Sequence, residues 1–147
     1  DQIADELARD DTAAGRLNAA TCRAAIPTPE AKAQAWGTCL RDASLPNYVL
    51  AATIAGIAEP DHRELLRPHV DEFFESLPAV WADRTYEIAH EITLGLYPHA
   101  LIETATVERT DEALGGDADI PHAARRLLAE GRDGVLRALR CQKRDAL

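Results

Sequence analysis

The string His90-Glu91-Ile92-Thr93-Leu94 comes within one residue of a zinc-binding helix. In the HExxH pattern two histidines stand one turn apart on a helix face and hold the metal, while the glutamate serves as a base. Position 94 is Leu, whose alkyl group ligates nothing, so the local site does not form. His90 then reads as a surface or hydrogen-bonded histidine of an amphipathic helix. Glu59-Pro60-Asp61-His62 and Glu87-Ile88-Ala89-His90 carry the Glu-x-x-His spacing from which a helix pair can build a di-iron centre. Pro60 separates Glu59 from His62 at a helix boundary, and no Glu falls plainly on an apolar stripe to bridge two metals. Nucleophilic catalysis is no better served. Serine occurs only at Ser44 and Ser76, neither within GxSxG, and Gly115-Gly116 lacks the Lys and Ser or Thr of a phosphate loop.

The remaining chemistry is ionic. Arg84 with Glu87, Arg125, Arg126 with Glu130, and Arg132 lie at helical spacings that ordinarily give solvated pairs. Turned inward, such residues would instead line a concave surface and meet a peptide or another domain. Arg84, Glu87, Arg125 and Arg132 are the candidates for that role, with Arg132 also suited to tying neighbouring helices together. Cys22, Cys39 and Cys141 are odd in number and form no CxxC, which predicts three small apolar residues in a reducing compartment rather than a disulfide framework.

The elements that must position these side chains are helices. Apolar residues recur at three and four along nearly all of the 147 residues, with no sustained alternation of period two. Ile3 to Ala8 and Thr12 to Ala25 read as a short and a longer helix. Thr28, Pro29 and Glu30 supply an N-cap, a first-position proline and a first-turn acid for a helix running to about Arg41. Ser44 or Leu45 begins the next, with Leu45, Tyr48, Val49, Ala52 and Gly56 on one stripe before Pro60. Asp61 caps a segment carrying Leu65, Leu66, Val70, Phe73, Phe74 and Leu77, which Pro68 should kink or split. Asp83 caps a helix with Tyr86, Ala89, Ile92 and Leu96 that ends at Gly95 and Pro98. Leu101 to Leu114 reads as a Thr-rich helix closed by Gly115-Gly116. From Pro121 onward Ala124, Leu127, Leu128, Gly131, Val135, Leu136 and Leu139 hold one face for about six turns. Seven or eight helices joined by short loops predict an all-α fold of antiparallel hairpins stacked as an irregular α-solenoid, of HEAT or armadillo character.

One domain over residues 1–147 suits the length. The chain has no Met and opens at Asp1 directly on a helical pattern, which predicts a piece of a longer polypeptide. No apolar run reaches the roughly 18 residues of a membrane span, so a soluble protein without a membrane partner is expected. A net charge of -9, from 16 basic and 25 acidic residues, disfavours nucleic acid as a partner.

Several strings carry a resemblance when read in order: Thr28 to Ala33 with Ala35-Trp36, Glu64 to Pro68 followed by Phe73-Phe74, Trp81 to Arg84 with Glu87, Gly95 to Pro98, and Arg125 to Asp133 with Arg137 to Arg140. In this order and at these separations, across nearly the whole chain, they resemble the C-terminal helical domain of aminopeptidase N, the gluzincin-type zinc aminopeptidases, of actinobacterial kind. The resemblance implies a cytoplasmic parent enzyme that removes N-terminal residues from peptides. Its zinc would be held by an HExxH helix and a distant Glu in other domains, with no cofactor in this fragment. It also implies that these residues form a non-catalytic helical superhelix whose partners are the catalytic domain of the same polypeptide and the peptide substrates it encloses. No catalytic or metal residue carries over onto this sequence. The competing reading is a free-standing helical-repeat adaptor that binds a protein on its concave face.

Overall fold

The computed structural model describes residues 2–117 and 119–145, and among them every regular element is helical. The α-helices are α1 (Gln2–Arg9), α2 (Ala13–Ala25), α3 (Pro29–Arg41), α4 (Asn47–Ile57), α5 (Val70–Asp83), α6 (Tyr86–Leu96), α7 (Thr104–Gly115) and α8 (His122–Asp145), with short 3-10 helices at Pro60–Leu65 and Arg67–His69. The all-α class read from the sequence is the class observed. The chain divides into two compact units, one ending at Leu66 and the other beginning at Arg67.

In the first unit the capping chemistry acts as its residue types require. Thr12 Oγ1 accepts from the amide of Gly15 at 3.0 Å and Thr28 Oγ1 from that of Ala31 at 3.2 Å, which starts α2 and α3. Helix α4 begins later than Ser44 or Leu45, because Pro46 occupies its N-cap. Its buried stripe is Leu50, Thr53, Ile54, Gly56 and Ile57, whereas Tyr48 is 62% exposed; the face that carries Leu50, Ile54 and Ile57 meets the core in place of the one with Tyr48.

Helices α2 and α4 pack closely. A Cβ on Gly56 would lie 2.2 Å from the Thr21 carbonyl oxygen and 2.8 Å from Ala24 Cβ, so only glycine permits this approach. Lys32, in the first turn of α3, is fully buried beside that crossing. Its Nζ donates to the carbonyl of Ala24 at 2.7 Å and to that of Gly56 at 3.0 Å. Both acceptors belong to the last turns of their helices, whose C-termini each carry roughly half a negative charge. One ammonium therefore meets about one unit of opposite partial charge. Burial still lowers the Lys32 pKa from its ordinary value, and the charge of Glu59 partly offsets that. Lys32→Ala strands two buried carbonyls and opens a cavity; we expect a loss of about 2–4 kcal/mol in urea unfolding.

The second unit begins at Arg67, and Pro68 splits the expected helix so that its first part, Pro60–Leu65, belongs to the first unit. Residues Pro60–Leu65 and Arg67–His69 are 3-10, with His62 at φ -106° and ψ 16° breaking the first, and α5 starts at Val70. Asp61 is not a cap, since Glu59 precedes the 3-10 segment. Asp83 is the last residue of α5, and Thr85 caps α6 through the Ile88 amide. Helix α7 starts at Thr104 rather than Leu101, with Glu103 at its N-cap, while Leu101 is buried in the loop before it. Helix α8 follows its expected face: Ala124, Leu127, Leu128, Gly131 and Val135 are buried.

The core of this unit centres on Tyr97. Its ring meets Phe73 and Phe74 edge-on, with centroids 6.2 and 6.3 Å away. The ring also lies against Gly131 of α8, where a Cβ would approach its carbons to 2.8 Å. Its hydroxyl is 2.8 Å from Thr110 Oγ1 of α7. Thr110 donates its own hydrogen to the Thr106 carbonyl at 2.7 Å, so the phenol is the donor. Burial pushes the Tyr97 phenol up from its ordinary value. We expect Gly131→Ala to lift the ring off α8 and to destabilise the protein by about 1–3 kcal/mol in thermal or denaturant unfolding.

Candidate functional site

The four charged candidates fall on two places in the second unit. Arg84 is the C-cap residue of α5 and Glu87 is exposed in the first turn of α6, so both sit at the α5–α6 turn. Arg125 and Arg132 sit on α8 and both reach α7. Arg125 Nη1 donates to the Leu114 carbonyl at 2.7 Å, satisfying an acceptor that the end of α7 leaves open. Arg132 grips Asp111 with two nitrogens, Nε to Oδ1 at 2.5 Å and Nη2 to Oδ2 at 2.9 Å. That fork is the helix-to-helix tie considered for Arg132, and the Asp111 carboxylate raises the arginine's proton affinity.

The near-zinc string lies on α6 with Ile92 and Thr93 buried and Leu94 46% exposed. The His90 ring packs 5.9 Å from that of Tyr86. Among the described residues no three His, Cys, Asp or Glu side chains stand close enough to hold a metal. These residues therefore do not fit zinc, and no step of metal chemistry is derived from them. Cys22, Cys39 and Cys141 are free thiols; burial pushes that of Cys39 up to about 12, which leaves it protonated and unreactive.

A cavity of about 280 Å³ with mixed polar and apolar lining lies between the Arg67–Asp71 segment and α7. Arg67 Nη1 meets Glu103 Oε1 at 2.5 Å, and Arg109 Nε meets Asp71 Oδ1 at 3.0 Å. Arg109 also lies 4.8 Å above the Phe74 ring. Sequence reading missed this group, because its partners are 36 and 38 residues apart and no local spacing announces them. The cavity offers paired charge of both signs, which suits polar recognition rather than proton transfer.

Residues 1–137 match the family model described as the ERAP1-like C-terminal domain. The chain belongs to the ERAP1-like C-terminal domain family. An aminopeptidase N of Streptomyces lividans is 48% identical to it over 145 residues, which cover 99% of this chain and 17% of that protein. The chain thus spans about a sixth of the length of this curated relative. All four charged candidates, Tyr97 and Lys32 lie inside the stretch matched to the ERAP1-like C-terminal domain. No helix among the described residues is long and apolar enough to cross a membrane.

For the Arg132–Asp111 fork we expect Arg132→Ala to lower the melting temperature, Asp111→Ala to lower it comparably, and the double variant to go little further. Additive losses would show that the two side chains act separately.

Proposed function

We propose that this chain is the non-catalytic C-terminal domain of a zinc-dependent aminopeptidase N, and that it helps to enclose the cavity in which peptides lose their N-terminal residues. The observation that carries this reading is the match of 99% of the chain to 17% of an aminopeptidase N, together with membership of a C-terminal domain family. The zinc ion would belong to another part of the polypeptide, since the residues described here do not assemble a ligand set. The partners are then the catalytic domain of the same polypeptide and the peptide substrate.

On this reading the contribution of the domain is exclusion and recognition. A cavity closed off from bulk water strengthens the electrostatic interactions within it and limits entry to peptides that fit. The all-helical build suits that role, because helices present surfaces without open strand edges. Arg84 and Glu87, at the α5–α6 turn, are the candidates for contact with substrate or catalytic domain; Arg125 and Arg132 act through α7. A cytoplasmic location accords with three free thiols.

The test is hydrolysis of aminoacyl chromogenic substrates, with zinc supplied, by the 147-residue chain and by the longer polypeptide in parallel. Turnover by the longer polypeptide alone is expected. Turnover by the short chain would overturn the non-catalytic assignment and return attention to His90.

A further inference from the structure

Helix α6 buries Ala89, Ile92, Thr93 and Leu96 on one face. On another, Tyr86, His90 and Leu94 recur at every fourth residue and so form one stripe. Tyr86 is 56% exposed, large apolar surface for a residue that touches the half-buried Trp81. A hydrogen bond ties α6 to α5. Trp81 Nε1 donates to Thr93 Oγ1 at 2.9 Å, and Thr93 donates onward to the Ala89 carbonyl at 2.7 Å. The Tyr86 ring stands edge-on to Trp81 at 5.7 Å, and the His90 ring follows it. Glu87 and Glu91 each come one residue after an aromatic member, which sets carboxylates along one border.

Aromatic side chains fixed in place at a surface have little rotamer freedom left to lose, which is why they anchor protein interfaces. An apolar centre with a charged border is the anatomy of such a contact. We propose that this α6 stripe is the seat of another part of the same polypeptide, an apolar surface bordered by Lys or Arg. The proposal rests on the reading of the chain as one domain of a larger aminopeptidase. Two observations select the occupant. The 48% identical relative has most of its length outside the region this chain matches, which supplies the partner surface. A second copy of the chain is disfavoured, since its net charge is -9 and its carboxylate border would face its like. A small ligand or free peptide would favour a concave site, whereas this is the ridge of one helix. The stripe also gives Glu87 a role at the border of the contact.

The experiment adds one reporter thiol to the longer polypeptide, by Leu94→Cys or by Arg126→Cys, each with Cys22→Ser and Cys141→Ser, and reads modification at that position alone by mass spectrometry of the peptide that carries it, since Cys39 also reacts once the protein is unfolded. Maleimide labelling of the native protein is compared with labelling in denaturant. The thiol at position 94 is expected to react at least about tenfold more slowly than that at position 126 after this normalisation, as protection by a docked surface requires. Equal rates overturn the proposal. Protection that disappears on dilution also overturns it and assigns the stripe to a second copy. Tyr86→Cys provides the same readout where Leu94→Cys does not fold. Peptidase activity on the same samples separates the two readings: equal labelling in an active enzyme removes the docking face alone, and an inactive unsubstituted polypeptide removes the enclosing-domain reading itself.

Discussion

A phenol buried among four helices must find an acceptor for its proton and room for its ring, and Tyr97 obtains both only in one arrangement. The acceptor is a threonine whose own hydrogen is already committed to α7, and the room is the missing side chain of Gly131. Edge-on contacts with Phe73 and Phe74 fix the same ring against α5. Moving any one of α5, α7 or α8 would leave the hydroxyl unsatisfied or the ring unpacked. The polar ties then act on helices already in register: Arg132 to Asp111, Arg125 to Leu114 and Arg109 to Asp71. The first unit solves a similar problem with Lys32, where the polar group sits between two helix ends rather than two helix faces.

Placing polar groups at the junctions of an all-helical core carries a cost in desolvation and gives geometry in return. A core of Ala, Leu and Val alone would let the helices slide by a turn with little change in buried area. A single hydroxyl or ammonium with fixed partners does not permit that. On the proposed reading, in which the domain presents surfaces to a neighbour, a fixed register matters more than added stability. It keeps the aromatic stripe of α6 and the ion-paired cavity beside α7 where another surface can use them.

Much of the helical organisation was legible because its signals are local. Thr28 and Pro29 define the start of α3 within three residues, and α8 repeats its apolar face for almost its whole length. Pro68 announced the break before α5. Other boundaries were missed where two local signals competed. Asp83 and Thr85 are both good caps, and α5 decides between them by continuing through Asp83. Pro46 delays α4, and of its two overlapping apolar faces the one with Leu50, Ile54 and Ile57 is buried while Tyr48 stays exposed. Long-range chemistry was least legible. A lysine in the first turn of a helix reads as solvated, and nothing adjacent to Lys32 shows that carbonyls 8 and 24 residues away will enclose it. Tyr97 lies between Gly95 and Pro98, the two residues that mark the helix end, and nothing beside it shows that Thr110 and Gly131 will receive its side chain. The charged candidates were legible as residue types, but the division between Arg132 as a tie and Glu87 as a surface group required coordinates.

The enclosure of Lys32 has a practical corollary in reagent chemistry. The sequence contains two lysines, and the other, Lys143, lies exposed in the last turn of α8. An amine must be reachable to react, and the Lys32 amine is enclosed in the core against two carbonyls. Acylating reagents therefore discriminate between the two side chains without any engineering. Lys143 is a natural attachment point for a dye or cross-linker at the far end of α8, and the appearance of a second modified lysine would report that the first unit had opened.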